Sequence, residues 1–313
     1  MTDVLSTARA RSRTVAARVL PPRVKRLIKK SVPALRAKEA ARRAKAAGGS
    51  STSHIPTDHA RQVHSHYYIE QAMTAPDAPS LVVDLGCGNG ASTELFRRWQ
   101  PDVEWIGVDI EQSDLARGIS GEKVIFYDGV NLPFPDGSIP LIYTNQVFEH
   151  VRYPEPLLNE IRRVLTPGGV FIGSTSQLEP YHSWSMWGGY TIYGWRTLCT
   201  DSGLVLEEVR PSIDAMALIG RQYSGPPEGY NPWDSSPLNE EIDKWAADTG
   251  ADVLATNARK LQFCGQFAFR VRKPADGAAA ARAGVPVRST SVPARARRVA
   301  GGILVKIGLR LSR

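Results

Sequence analysis

Apolar runs of four to six residues alternate along the middle of the chain with stretches in which apolar positions recur at helical spacing. A strand buried on both faces reads as a continuous apolar run and the helix covering it as an amphipathic one, so the alternation predicts βαβ units around a mostly parallel sheet. LVVDLG from Leu81, WIGVDI from Trp105, KVIFYDG from Lys123, PLIYTN from Pro140 and GGVFIGST from Gly168 are the first five strands. VLEEVRP at 205–211 and CGQFAFRVRK from Cys264 complete a sheet of seven. Helices are predicted over STELFRRWQ, over PEPLLNEIRRVL with Leu157, Ile161 and Leu165 on one face, and over WRTLCTDSGL, which Gly203 ends. TPGG at 166–169 reads as a helix stop.

The pattern fades at both ends. AAGGSSTS at 46–53 and KPADGAAAARAGVP at 273–286 are small-residue linkers, which divides the 313 residues into a tail and linker over 1–53, a body over 54–272 and a second linker and tail over 273–313. Charge sharpens this division. Residues 1–48 carry 14 Lys and Arg against Asp3 and Glu39, residues 272–313 carry 10 against Asp276, and with a total of +8 the stretch between is left at −13. Val24, Leu27, Ile28, Val32 and Leu35 form an apolar stripe among the first set of cations, and Val299, Ile303, Ile307 and Leu311 form another among the second. Basic amphipathic helices suit an anionic membrane surface. Nucleic acid is the competing partner, disfavoured by tails without interleaved aromatics and by an acidic body.

The first 20 residues share an Arg-rich composition with organellar transit peptides, but Asp3 and the charge continuing past residue 20 fit that poorly. No apolar run approaches the ~20 residues of a membrane span. Cys87, Cys199 and Cys264 are odd in number and widely spaced, which argues for a reducing compartment. The expectation is a cytoplasmic protein, peripheral on the inner membrane face.

Chemistry enters at the end of the first strand, in VVDLGCGNGAST. Gly86, Gly88 and Gly90 follow a GxGxG spacing, whereas a dinucleotide site uses GxGxxG to seat a pyrophosphate. Asp84, just upstream, would repel a diphosphate and welcome an ammonium group. Nineteen residues after Gly90 the second strand ends in Asp109, placed for ribose hydroxyls, and the third ends in Asp128, placed for an adenine amino group. Taken singly, each acid could equally cap a helix or turn.

Together, VVDLGCGNG, GVDI, YDGVNLPFPDGSIPLIYTNQVFEHV and RRVLTPGGVFIGST resemble class I S-adenosylmethionine-dependent methyltransferases of the group called methyltransferase type 11. The resemblance implies a Rossmann-like α/β fold, with helices on both faces of the seven-stranded sheet and the last strand antiparallel beside the fifth. It implies S-adenosyl-L-methionine as cofactor. Asp84, Gly86 and Gly88 would hold its methionine end, Asp109 and Ile110 its ribose, Asp128 and Gly129 its adenine, and Asn145 and Gln146 would line the sulfonium side.

The resemblance is silent about the acceptor. Methyl transfer needs an aligned nucleophile and, for a hydroxyl, a base. TNQVFEHV lacks the Asn/Asp-Pro-Pro-aromatic motif of relatives that methylate nitrogen. His182, with Tyr181 as positioning partner, is the first candidate base, and His150 the second. Gln146, Glu149, His150 and His182 echo a metal set of related RNA-end enzymes, but Gln146 replaces an anionic ligand, so no metal is expected. His54, His59, His64 and His66 lack metal-ligand spacing and suit a helix over the cofactor pocket.

EPYHSWSMWGGYTIYGW at 179–195 falls in one of two insertions, 177–195 and 211–260. Pro180 and the glycine pair make its first half a loop that presents Tyr181, His182 and Trp184 to an acceptor, while core packing is the plain reading of Trp187, Tyr193 and Trp195. GPPEGYNPWDSSP in the second insertion reads as a loop covering the pocket. The expected function is O-methylation of a sugar hydroxyl in a lipid-linked or surface glycan. A small aromatic or quinone-like hydroxyl, an RNA substrate, and a catalytically silent membrane scaffold are the alternatives.

Overall fold

The computed structural model describes residues 52–183, 185–225 and 235–275. Both basic amphipathic stripes, Trp184 and residues 226–234 of the proposed covering loop lie outside the described residues. The chain builds one seven-stranded sheet in the order β3-β2-β1-β4-β5-β7-β6. The strands are β1 Leu81–Leu85, β2 Glu104–Ile110, β3 Lys123–Tyr127, β4 Ile139–Asn145, β5 Leu165–Ser176, β6 Val205–Pro211 and β7 Gln266–Arg272. β1 to β5 are parallel, and β7 runs antiparallel between β5 and β6.

Alternation along the strands divides the core in two. Val83, Leu85, Ile142 and Phe171 point into one buried cluster, and Val82, Leu141, Tyr143 and Ile172 into the other, as a two-residue period requires. The first cluster is closed by α4 Pro154–Val164, α5 Ile192–Asp201 and α8 Val253–Phe263, the second by α1 His66–Met73 and α2 Ser92–Arg97. α3 Asp114–Arg117 is a single turn, and α6 Ala215–Ser224 and α7 Pro237–Thr249 follow β6. α4 opens on Pro154 and stops at Val164, so Leu165 begins β5. TPGG therefore lies inside β5 rather than in a turn after the helix, since Leu165 already pairs with Ile139.

Residues 54–65, read from sequence as the start of the body, are tied to the sheet. Val209 N donates to His54 O at 2.8 Å and Val63 N to Pro211 O at 3.0 Å, so the arm runs beside β6. Arg210, 3% exposed, clamps it: its guanidinium donates twice to Asp58, at 3.0 and 2.9 Å, bonds Glu208, and stacks over Tyr67. Asn257 and Lys260 of α8 donate to arm carbonyls from the other side. His59 belongs to this clamp, bonding the Tyr67 hydroxyl, while His66 opens α1; the four histidines thus form an anchored arm and one helix end, not one helix. No helix among the described residues is long and apolar enough to cross a membrane. Cys87, Cys199 and Cys264 are buried free thiols.

Candidate active site

The carboxyl ends of β1, β2 and β3 carry the glycine-rich turn and its acids. Gly86 has φ +72, and a side-chain carbon there would lie 2.3 Å from Val147 Cγ2. Gly88 has φ +52 and nothing within 4 Å of where its Cβ would stand, so the turn is packed on one side and open on the other. Its N–H donates to Asp109 Oδ2 at 2.9 Å, and Ile110 N donates to Oδ1 at 2.8 Å, which pins the carboxylate across the turn. Gly129, φ +88, brings its backbone near Ile110, whose side chain is 40% exposed. These residues fit a nucleoside. There is a carboxylate for hydroxyls, an exposed aliphatic face for a flat base, and open backbone beside Gly88.

Asp84 sits lower than its position in the motif suggests. It is 3% exposed, with Oδ2 accepting from Ser92 at 2.5 Å, and Ser92 in turn accepts from Trp105 Nε1. Burial pushes its carboxyl up to about 7, against the Ser92 hydrogen bond, so the acid is not the fixed negative charge that its sequence context predicts. Asp128 is exposed, and its carboxylate accepts from Val130 N, Asn131 N and the Asn131 amide, which hold it below the usual range.

The end of β4 joins this cradle to a second site. Asn145 Oδ1 accepts from Ser174 at 2.6 Å and from Ser65 of the arm at 3.1 Å. Ser65 also pairs with the Tyr143 hydroxyl at 2.9 Å. Gln146 follows with φ +56, a left-handed conformation costly for a residue with a Cβ, and this turns its side chain into a cleft of about 310 Å³. Gln146, Glu179, His182, Arg221, Gln222 and Gln266 bring polar groups to the cleft, while Pro180, Leu218 and the aliphatic stems of these side chains supply the larger part of its surface.

Under the cleft Glu149 is fully buried. It accepts from Thr175 and Ser176, each at 3.0 Å, and with its amide turned to satisfy these neighbours Gln146 donates to Glu149 Oε1 at 2.8 Å. Ser176 also contacts Glu179, so its one proton serves two carboxylates. Burial raises the Glu149 carboxyl above its usual range, against the hydrogen bonds from Ser176 and Thr175.

His182 stands on the cleft wall with Nδ1 at 3.0 Å from the Pro180 carbonyl and 3.8 Å from Glu179 Oε1. A carbonyl only accepts, so Nδ1 carries the proton and Nε2 is left as the basic nitrogen. His150 packs edge-on against it, with ring centres 5.2 Å apart, but is itself half-buried and shifted down, chiefly by burial. Its Nδ1 is buried without a hydrogen-bond partner. Tyr181, the sequence-based positioning partner, is 63% exposed and not part of the cleft wall. The Pro180 carbonyl and Glu179 approach the His182 ring instead. The aromatic stretch divides differently too: Trp195 is fully buried, whereas Trp187 and Tyr193, read as core, are 63% and 77% exposed. Among the described residues no group of three or more His, Cys, Asp or Glu is placed to hold a metal.

Residues 83–173 match the family model described as a methyltransferase domain. Over that stretch the chain carries a methyltransferase domain. An S-adenosylmethionine-dependent methyltransferase of known structure from Mesorhizobium loti is 18% identical, with a TM-score of 0.42 over 66% of this chain and 97% of that one. Among curated relatives, a methyltransferase of Schizosaccharomyces pombe is 32% identical over 102 residues, 28% of this chain and 37% of the relative. A methyltransferase of Mycobacterium sp. is 35% identical over 104 residues, 32% of this chain and 40% of the relative. The chain thus spans well under half the length of either curated relative.

The methyltransferase domain's cofactor is S-adenosylmethionine, and of the residues expected to hold it Asp84 has a deeper seat than its motif suggests. Sequence reasoning missed Glu179, Ser65 and the α6 residues. Glu179 left one legible signal, an acid three positions before His182. Arg221 and Gln222 left none, because only the packing of α6 turns them inward.

Proposed function

We propose that this protein is an O-methyltransferase acting on a hydroxyl of a sugar, in a lipid-linked or surface glycan. The observation that carries the reading is the contact of His182 Nδ1 with the Pro180 carbonyl at the wall of the cleft beside the end of β4, which leaves Nε2 as the basic nitrogen. When bound, S-adenosylmethionine supplies a methyl carbon already activated by positive sulfur. The protein's own task is to align a hydroxyl and take its proton, and Nε2 of His182 is free to do so. Glu179 Oε1 then faces the imidazolium that results. The hydrogen-bonding groups of Gln146, Glu179, Gln222 and Gln266 suit the hydroxyls of a polyol, and Pro180 and Leu218 offer an apolar surface to one face of its ring.

The test is incubation with methyl-labelled cofactor and fractionated extract. Label is expected in the lipid-linked glycan pool as an alkali-stable ether; label confined to nuclease-sensitive material or to small aromatics would overturn the assignment. The membrane part of the proposal rests on the two basic tails of the sequence. Full-length protein should sediment with vesicles rich in anionic lipid, and removal of residues 1–48 should release it; equal recovery in the supernatant would refute this.

A further inference from the structure

The cleft wall carries one strong cation whose pairing is incomplete. Arg221 and Gln222 lie three and four residues after Leu218 on α6, and all three line the cleft. Its side chain is 39% exposed, and its ion pair with Glu179 is a single approach of 3.7 Å, beyond hydrogen-bonding distance. Arg163 and Arg210 show what a satisfied guanidinium looks like here. Arg163 bonds Glu160 at 2.7 Å and Asp136 at 2.8 Å, and Arg210 bonds both oxygens of Asp58. Glu179, for its part, already accepts from Ser176 and, at 3.0 Å, from Gln266.

We propose that Arg221 reads an oxyanion on the acceptor, so that the molecule methylated is an acidic sugar carrying a carboxylate or a phosphate near the reacting hydroxyl. The inference rests on the reading of this cleft as the acceptor site. A guanidinium presents a planar fork of donors matched to an oxyanion, and here Arg221 lines the cleft with its donors largely unspent among the described residues. Arg221 and Glu179 cancel in charge, so an anion entering beside Arg221 meets no net repulsion from the wall. Arg221 and His182 approach the same Glu179 oxygen, at 3.7 and 3.8 Å, and their contacting nitrogens are therefore no more than 7.5 Å apart. The basic Nε2 lies across the imidazole from the contacting Nδ1, and a single sugar is long enough to set its hydroxyl at that nitrogen and its anion at the arginine.

The test uses the full chain saturated with S-adenosylhomocysteine and titrated calorimetrically with methyl glucuronide, glucose 6-phosphate, neutral methyl glucoside and 4-hydroxybenzoate. We expect one of the two anionic sugars to bind at least tenfold more tightly than the neutral glycoside, and which of them does so separates carboxylate from phosphate. Arg221→Gln should erase that preference without changing S-adenosylhomocysteine affinity. Arg221-dependent binding of 4-hydroxybenzoate alone would keep the anion reading and remove the sugar. A preference that survives in Arg221→Gln, equal binding of charged and neutral sugars, or no binding of any probe would overturn the inference. Labelling of a neutral glycan in the extract assay would then leave the O-methyltransferase reading standing by itself.

Discussion

Asp214 is the residue through which the acceptor cleft depends most directly on packing. It is fully buried at the end of the β6 connection. Oδ1 accepts from Ala217 N at 2.8 Å, capping α6, and Oδ2 accepts from Leu238 N at 2.8 Å and Asn239 N at 3.3 Å in the first turn of α7. One carboxylate therefore satisfies orphan N–H groups of two helices. Asp214→Ala removes a cap worth about 1 kcal/mol. It also strands two N–H groups in the interior at about 1 to 3 kcal/mol each, the longer bond at the lower end. The sum is about 3 to 5 kcal/mol, a large part of the roughly 5 to 15 kcal/mol that stabilises an ordinary domain. Urea unfolding followed by tryptophan fluorescence reads it as a fall in midpoint of about 1 to 2 M, taking a slope of about 2 to 3 kcal/mol/M. Asp214→Asn keeps one acceptor oxygen and should lose about half as much. A loss below about 1 kcal/mol for Ala, or identical losses for Ala and Asn, would refute the double-cap account. The cost should also reach function, since α6 carries Arg221 and Gln222 into the cleft.

Three further outcomes are expected. His182→Gln should lower turnover by roughly 10²- to 10⁴-fold, the usual worth of a general base, with unchanged affinity for S-adenosylhomocysteine; turnover within threefold of the parent would remove His182 from the mechanism. Asp84 is raised to about 7 from 3.8, so its contribution to stability is complete below pH 3.8 and is lost as pH rises through about 7. The cofactor-free protein should accordingly lose melting temperature across that window while Asp84→Asn does not, and a bound ammonium, favouring the ionised acid, should make cofactor affinity climb with pH over the same range; parallel melting profiles would show that Asp84 is not the titrating group. Gly86→Ala should abolish cofactor binding and destabilise the domain, because its new carbon would lie 2.3 Å from Val147 at φ +72, whereas Gly88→Ala meets no neighbour and should fold while binding cofactor weakly; comparable melting of the two variants would contradict the packing of this turn.

The seven strands and the cofactor cradle were legible in the sequence for a local reason. Burial on both faces writes a continuous apolar run into strands such as LVVDLG, and a tight turn under a ligand writes glycines at fixed spacing. The donor-side acids are legible because they sit at strand ends, where register places them without reference to distant residues. Asp84 marks the limit of this: its position was readable, but its charge depends on burial and on Ser92, which the motif does not encode.

The cleft is different because its residues are gathered from four separate stretches of chain. Gln146 enters through a left-handed turn, Glu179 and His182 from the loop after β5, Arg221 and Gln222 from α6, and Gln266 from the start of β7. Exposed aromatic and polar residues carry no period that says which way they face, so Tyr181 and Trp187 looked no different in sequence from His182 and Trp195. By itself, then, the sequence determined the sheet, the donor and the basic ends, whose signals are local in pattern and composition. Only tertiary structure decided which side chains share the acceptor cleft, because that depends on how β7, α6 and the arm before α1 close around the ends of β4 and β5.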